Sequence, residues 1–317
     1  ISFSFGTSPL NIIHSHLFLS RFCLCGGGYM IERMWELGKL SEIPPQLMEI
    51  PEPPEELWIA GALPSPETVL LTVVGSRKYT SYGKEACEEI IGGLRGYDIA
   101  IVSGLALGID SIAHEAAMAA GLPTIAVPGS GLDQSVLYPR ANLQLAERIL
   151  ESGGALLSEF SPDFRATEWS FPQRNRIMAG LSRATLLIEA GERSGTLITA
   201  RLAADYNRDV LVVPGSIFSP ASRGTHQFLK LGATPVTSSA DVLRVLGFEL
   251  DTGVPKDIDL STLSEEERAV MELLTEPRHR DLIIEELDLS ASAANILLMK
   301  MEIAGLIVDA PEGLRRA

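Results

Sequence analysis

Five short turns hold the residues best suited to grip a phosphate: Gly75-Ser76-Arg77, Ser103-Gly104, Pro128-Gly129-Ser130-Gly131, Glu189-Ala190-Gly191 and Pro214-Gly215-Ser216. Small side chains let backbone N–H groups approach an anion, and a helix opening just after the turn adds the positive end of its dipole. Arg77 can add a forked, charge-assisted contact. Two further clusters fit the same chemistry. Arg140 and Asn142 stand at a helix start after Tyr138-Pro139, and Arg174-Asn175-Arg176 follow Trp169 and Phe171. Arginines beside aromatic rings suit single-strand recognition, where bases stack and phosphates pair, although Trp169 and Phe171 could equally be ordinary core. Ser194-Gly195-Thr196 opens another helix as a further anion cradle. Asp110 reads most simply as the cap of the helix that carries His114, and His114 as a packed imidazole.

Each turn needs a strand in front and a helix behind. Apolar runs predict strands at Leu70–Gly75, Asp98–Ser103, Thr124–Pro128, Ala155–Phe160, Ala184–Glu189, Val210–Pro214 and Thr234–Thr237. Helical patterns fall between them, at Tyr82–Leu94, Ile109–Ala120 and Ala141–Glu151 and near 174–182, 196–207, 225–231 and 240–246. Continuous runs such as Ile99-Ala100-Ile101-Val102 suit strands buried on both faces. The alternation predicts an α/β fold: a doubly wound, mostly parallel sheet of the extended Rossmann type, in which the strands' carboxyl ends, and hence the turns, share one edge. Residues 67–248 form this domain. Residues 41–66, rich in proline and acids, read as an extended linker or lead-in, and 249–259 as a second linker. Residues 260–317 show three helical patterns and a hairpin, the winged-helix order. The net charge of -9 over 248–317, with Lys300 the sole base on the third helix, favours protein docking or a structural cap over DNA reading.

The overall charge is -15, yet residues 31–69 carry -6 and 248–317 carry -9, while 70–247 carry only -1. Seven arginines lie within 165–208, so a local basic face on a neutral core is expected. Three cysteines, Cys23, Cys25 and Cys87, exclude a disulfide framework and fit reduced cytoplasmic thiols. No GxGxxG follows the first strand and no GxxxxGK[ST] occurs anywhere, which disfavours a dinucleotide cofactor and excludes a P-loop motor. No cofactor or metal is expected. Residues 1–30 match neither a signal peptide nor a membrane span, and we read them as sequence upstream of a natural start at Met30 or Met34.

Taken in order, Val74-Gly75-Ser76-Arg77, Ser103-Gly104 with Gly108-Ile109-Asp110, Pro128-Gly129 through Asn142, Ser158-Glu159-Phe160, Phe171-Pro172 with Arg174-Asn175-Arg176-Ile177, Ser194-Gly195-Thr196-Leu197 and Val212-Val213-Pro214-Gly215 resemble the DNA-processing protein A (DprA, also Smf) family. The resemblance spans about 43–247 and extends to the winged-helix-like segment. It implies a non-catalytic, sequence-independent single-stranded DNA binder that dimerises and helps load a RecA-type recombinase in natural transformation. It also implies that Gly75, Ser76 and Arg77 touch phosphates, that Arg140 stands where the family often has lysine, and that Arg174, Asn175 and Arg176 line the same groove. Many members carry a helical N-terminal module of the SAM type, for which no counterpart is expected here. The competing readings are a nucleotide-sensing scaffold and a phosphoribohydrolase-like enzyme on the same sheet, the latter weakened because no acid follows Ser194-Gly195-Thr196.

Overall fold

A computed structural model describes residues 18–25, 28–249, 263–287, 289–310 and 313–316. The chain divides into two units, 1–249 and 250–317.

The first unit opens with an antiparallel hairpin of β1 (Phe18–Cys25) and β2 (Gly28–Trp35), a two-stranded sheet of its own. Then come β3 (Gly38–Lys39), α1 (Pro45–Met48), β4 (Trp58–Gly61), β5 (Val69–Val74), α2 (Ser81–Gly92), β6 (Ile99–Ser103), α3 (Ile109–Ala120) and β7 (Thr124–Ala126). The chain continues through α4 (Leu143–Glu151), β8 (Ala155–Ser158), α5 (Ser170–Leu181), β9 (Ala184–Leu187), α6 (Thr196–Asp205), β10 (Asp209–Val212), α7 (Arg223–Lys230), β11 (Thr234–Pro235) and α8 (Ser239–Leu246). The seven strands expected between 69 and 240 are all present.

They form one nine-stranded sheet in the order β11-β10-β9-β5-β6-β7-β8-β4-β3. Every pairing from β11 to β8 is parallel, and β4 and β3 are added antiparallel. The chain builds outward from β5 to β8, then returns to place β9 on the other side of β5. The direction of winding therefore reverses between β5 and β9. In open α/β sheets such a reversal leaves a crevice outside the carboxyl ends of the two strands.

Side chains alternate across the sheet as strand geometry requires. Ile59, Ile125 and Leu157 join the cluster on one face with Leu47, Ile177 and Met178, while Ala60, Ala126 and Leu156 join the other with Trp35, Leu145 and Ile149. Trp35 also donates its indole N–H to the carbonyl of Leu132 at 2.9 Å.

Residues 41–66 are not the extended linker expected from their prolines. They contain α1 and β4, and Leu47 and Leu57 are fully buried. The prolines are compatible with this because they avoid the ladder: Pro44 caps α1 and Pro45 occupies its first turn, where an N–H would have no helical partner. Four strand residues, Trp58–Gly61, are enough to pair with β8.

The second unit packs α9 (Glu265–Leu273), α10 (Arg280–Glu286) and α11 (Ala291–Ile303) with the hairpin β12 (Ile307–Ala310) and β13 (Gly313–Arg316) around a core that includes Val270, Ile283, Leu298 and Leu314. A capping box opens α9: Ser264 accepts from the Glu267 amide, and Glu267 from that of Ser264. Most of the expected linker at 249–259 lies outside the described residues.

If the lead-in is part of the folded unit, Leu57→Ala should cost about 2–5 kcal/mol, the usual range for emptying a buried leucine site. Urea denaturation checks this, and a loss typical of a surface substitution would contradict it.

Candidate functional site

The crevice at the β5/β9 reversal is a cleft of about 620 Å³. Gly75, Ser76, Arg77 and Lys78 line it from the loop after β5. Arg193, Ser194, Gly195 and Thr196 line it from the entrance of α6, and Phe171, Arg174 and Asn175 from α5. Among the described residues, Asp110 is the one acid in this lining, against Arg77, Lys78, Arg174 and Arg193. The cleft is therefore electropositive within a chain of net charge -15.

Close packing fixes the glycines of the floor. A Cβ on Gly75 would sit 2.6 Å from Ile109, so only glycine lets the loop cross the start of α3. The Thr196 hydroxyl donates to the carbonyl of Gly75 at 2.9 Å and ties α6 to that loop. The amino end of α6 thus faces the cleft with Gly195 at its cap, a position suited to an anion.

Arg174 is only 5% exposed. Its guanidinium donates to the carbonyls of Gly104, at 2.5 Å, and Val127, and its Nε to the side-chain oxygen of Asn175 at 3.2 Å. Asp110 lies opposite and is buried. It does not cap α3, whose cap is Gly108; instead it accepts from the amides of Gly104 at 3.1 Å and Ala106 at 3.4 Å. Any side chain at Gly104 would collide with both Arg174 and Asp110. Burial raises the Asp110 carboxyl to about 6, opposed by the Arg174 charge and the two amides. Burial lowers Arg174 to about 10, so it remains cationic at neutral pH. His114 is the packed imidazole expected from sequence. It is buried, lowered to about 3 by desolvation, with Nδ1 2.7 Å from the Thr124 hydroxyl.

Phe171 faces the cleft half-buried, with the Arg77 guanidinium 5.6 Å from its ring centroid and Tyr138 at the same centroid distance. Trp169 is exposed and packs edge-on against Phe160 and Phe164. Neither ring is ordinary core. A narrow notch bordered by Leu107, Tyr138 and Pro139 adjoins the cleft and shares Arg77, Phe171 and Arg174 with it.

Gly75, Ser76, Arg77, Arg174, Asn175, Ser194, Gly195 and Thr196 therefore meet in one cleft; the other expected residues do not line it. The Phe171 ring covers the Gly129 Cα, and Gly131 abuts the carbonyls of Ser161 and Pro162. Asn142 is buried and donates to Leu105 at 2.8 Å. Arg140 is exposed and donates to the Gln134 carbonyl. Arg176 pairs with Glu159 and donates to the carbonyl of Glu52 at 2.5 Å. Nor do the arginines of 165–208 make one basic face. Arg208 pairs with Glu49 at 2.7 Å, Arg174 is buried, and Arg193 reaches the cleft. Lys78 lines the cleft and was missed; its place directly after Arg77 was the available signal.

Fold and site together define a Rossmann-like domain with a cationic cleft at its strand ends, followed by a winged helix. Sequence comparison agrees. The family described as DNA recombination-mediator protein A matches residues 38–247, and the DprA winged helix domain matches 254–313. The chain belongs to the DNA processing protein A (DprA/Smf) family. Protein Smf of Escherichia coli is 38% identical over 285 residues, covering 86% of this chain and 75% of that protein. The X-ray structure of DNA processing protein A from Streptococcus pneumoniae is similar with a TM-score of 0.62 at 41% identity, covering 68% of this chain and 75% of that one. A structure of DNA processing protein A from Helicobacter pylori, described for its single-stranded DNA binding mode, has a TM-score of 0.60 at 29% identity, covering 67% and 95% of the two chains. No helix among the described residues is long and apolar enough to cross a membrane.

Replacing Arg174 with Met would leave Asp110 and two carbonyls buried without their partner. The expected cost is about 3–5 kcal/mol, read by chemical denaturation. Asp110→Asn gives a pH signature. The folded carboxyl titrates near 6 and the unfolded one near 3.8, so the folded state holds the proton more tightly. Wild type should lose stability relative to Asp110→Asn as pH rises from about 4 to about 6, with no further change above that. A difference that stays constant across this window would contradict the assignment.

Proposed function

We propose that the protein binds single-stranded DNA in the β5/β9 cleft, without catalysis and without reading sequence. One observation carries this: exposed Arg77 stands over the Phe171 ring beside Lys78, Arg193 and the amino end of α6. Cations and a helix terminus take phosphates, and the ring offers a face to any base. The Helicobacter pylori relative, described for binding single-stranded DNA, supports the choice of ligand. The reading extends to a role in DNA processing during transformation, to self-association and to loading a RecA-type recombinase; family membership supports these steps. A binder is favoured over a hydrolase because Asp110 is engaged by two loop amides and both Glu189 oxygens are engaged by Thr80.

Anisotropy titrations with oligothymidine across salt test the reading. Single strands should bind more tightly than duplexes, with affinity falling linearly in log salt. Arg77→Ala should weaken binding by about 1–3 kcal/mol and reduce the salt slope by about 0.7, the share of one single-strand phosphate. Unchanged affinity and slope would remove Arg77 from the site. Release of free base from nucleoside monophosphates would replace the binder with an enzyme.

A further inference from the structure

Phe218 is 86% exposed, the most exposed of the large hydrophobic side chains among the described residues, and its neighbour Ile217 is 76% exposed. Presenting both to water is unfavourable unless something stacks on them. Their position suggests what. They lie in the loop after β10, and β10 pairs in parallel with β9, which pairs in parallel with β5. The loop therefore leaves the sheet at the same edge as the cleft. It is two strand spacings from the Gly75 loop, roughly 10 Å.

The loop's base is also held by neighbouring helices. Tyr82, near the start of α2, donates its hydroxyl to the Pro214 carbonyl at 2.5 Å, and His226 Nε2 lies 3.0 Å from the Gly215 carbonyl. The amide of Gly224 donates to the Ala190 carbonyl at 2.8 Å, joining the following helix to the turn that leads into Arg193. The base of the loop is thus anchored while its tip projects. Arg193 in the cleft and Arg223, the first residue of α7 just after the loop, are both exposed.

We propose that the DNA groove continues from the cleft onto this loop, with Phe218 as an additional base-stacking platform for the same strand. The inference rests on the binding reading above. It commits to nucleobases because the patch continues a cationic cleft along one sheet edge. An aromatic ring beside arginines is suited to stacked bases between paired phosphates. A ring that contacts only base faces adds affinity without sequence preference.

The test uses the full chain with oligothymidines of about 6 and about 20 nucleotides, spanning the short and long ends of single-strand site sizes. Phe218→Ala should weaken the long oligomer by about 5-fold or more, as expected for one lost stacking contact, and leave the short one near wild type. Phe218→Trp should restore the long-oligomer affinity. Wild-type affinity of Phe218→Ala for both lengths, with Arg77→Ala weakened, would overturn the extension and leave the cleft assignment intact; Phe218 would then serve another partner. Arg77→Ala binding both lengths as wild type does would overturn the cleft and the extension together. Equal weakening of both lengths by Phe218→Ala would also reject a separate, more distant platform.

Discussion

The buried guanidinium of Arg174 holds the site together. It joins the carbonyl of Gly104, after β6, to that of Val127, after β7, and faces Asp110, whose carboxylate takes the amides of the Gly104–Ala106 loop. Parallel strands leave unpaired backbone groups at their carboxyl ends, and burying these without partners is costly. One cation and one anion satisfy several such groups at once, and in doing so fix the loops that form the floor of the cleft. The rim charges, Arg77, Lys78 and Arg193, are exposed by contrast and can adjust to a flexible ligand. A rigid floor beneath an adaptable rim suits a ligand recognised by its backbone rather than its sequence.

Local pattern made the strands and helices of 69–246 legible, because strands buried on both faces read as unbroken apolar runs. β4 was not legible: four residues, Trp58–Gly61, sit among prolines whose compositional signal is stronger than theirs. Strand order was not legible either, since nothing local in Ala184–Leu187 says that β9 returns to the far side of β5. That return creates the cleft, so the site's location depended on a long-range fact. Within the site, Gly75-Ser76-Arg77 and Ser194-Gly195-Thr196 were readable as turns at strand ends. Gly129 and Gly131 gave the same signal for another reason, because tight packing against Phe171 and Pro162 excludes a Cβ as surely as a ligand would. Arg174 and Arg176 look alike in sequence, yet one turns inward and the other is held by Glu159 from a different part of the chain.

The winged-helix unit follows different electrostatics. Its third helix, α11, exposes Ile296, Met299 and Ile303, a spacing that places them along one side, with Lys300 among them. An apolar stripe in an acidic unit is poorly suited to a phosphate backbone. The negative charge of the flanks leaves the central domain nearly neutral, so its cleft potential comes from local arrangement.

The nine-stranded sheet ends in two-residue strands on both sides, β3 and β11, and the latter includes Pro235, which has no N–H to donate. A neighbouring chain seeking to extend the ladder would find almost nothing to bond. Borders this short spare the nine-stranded sheet the runaway stacking that long, open edges invite.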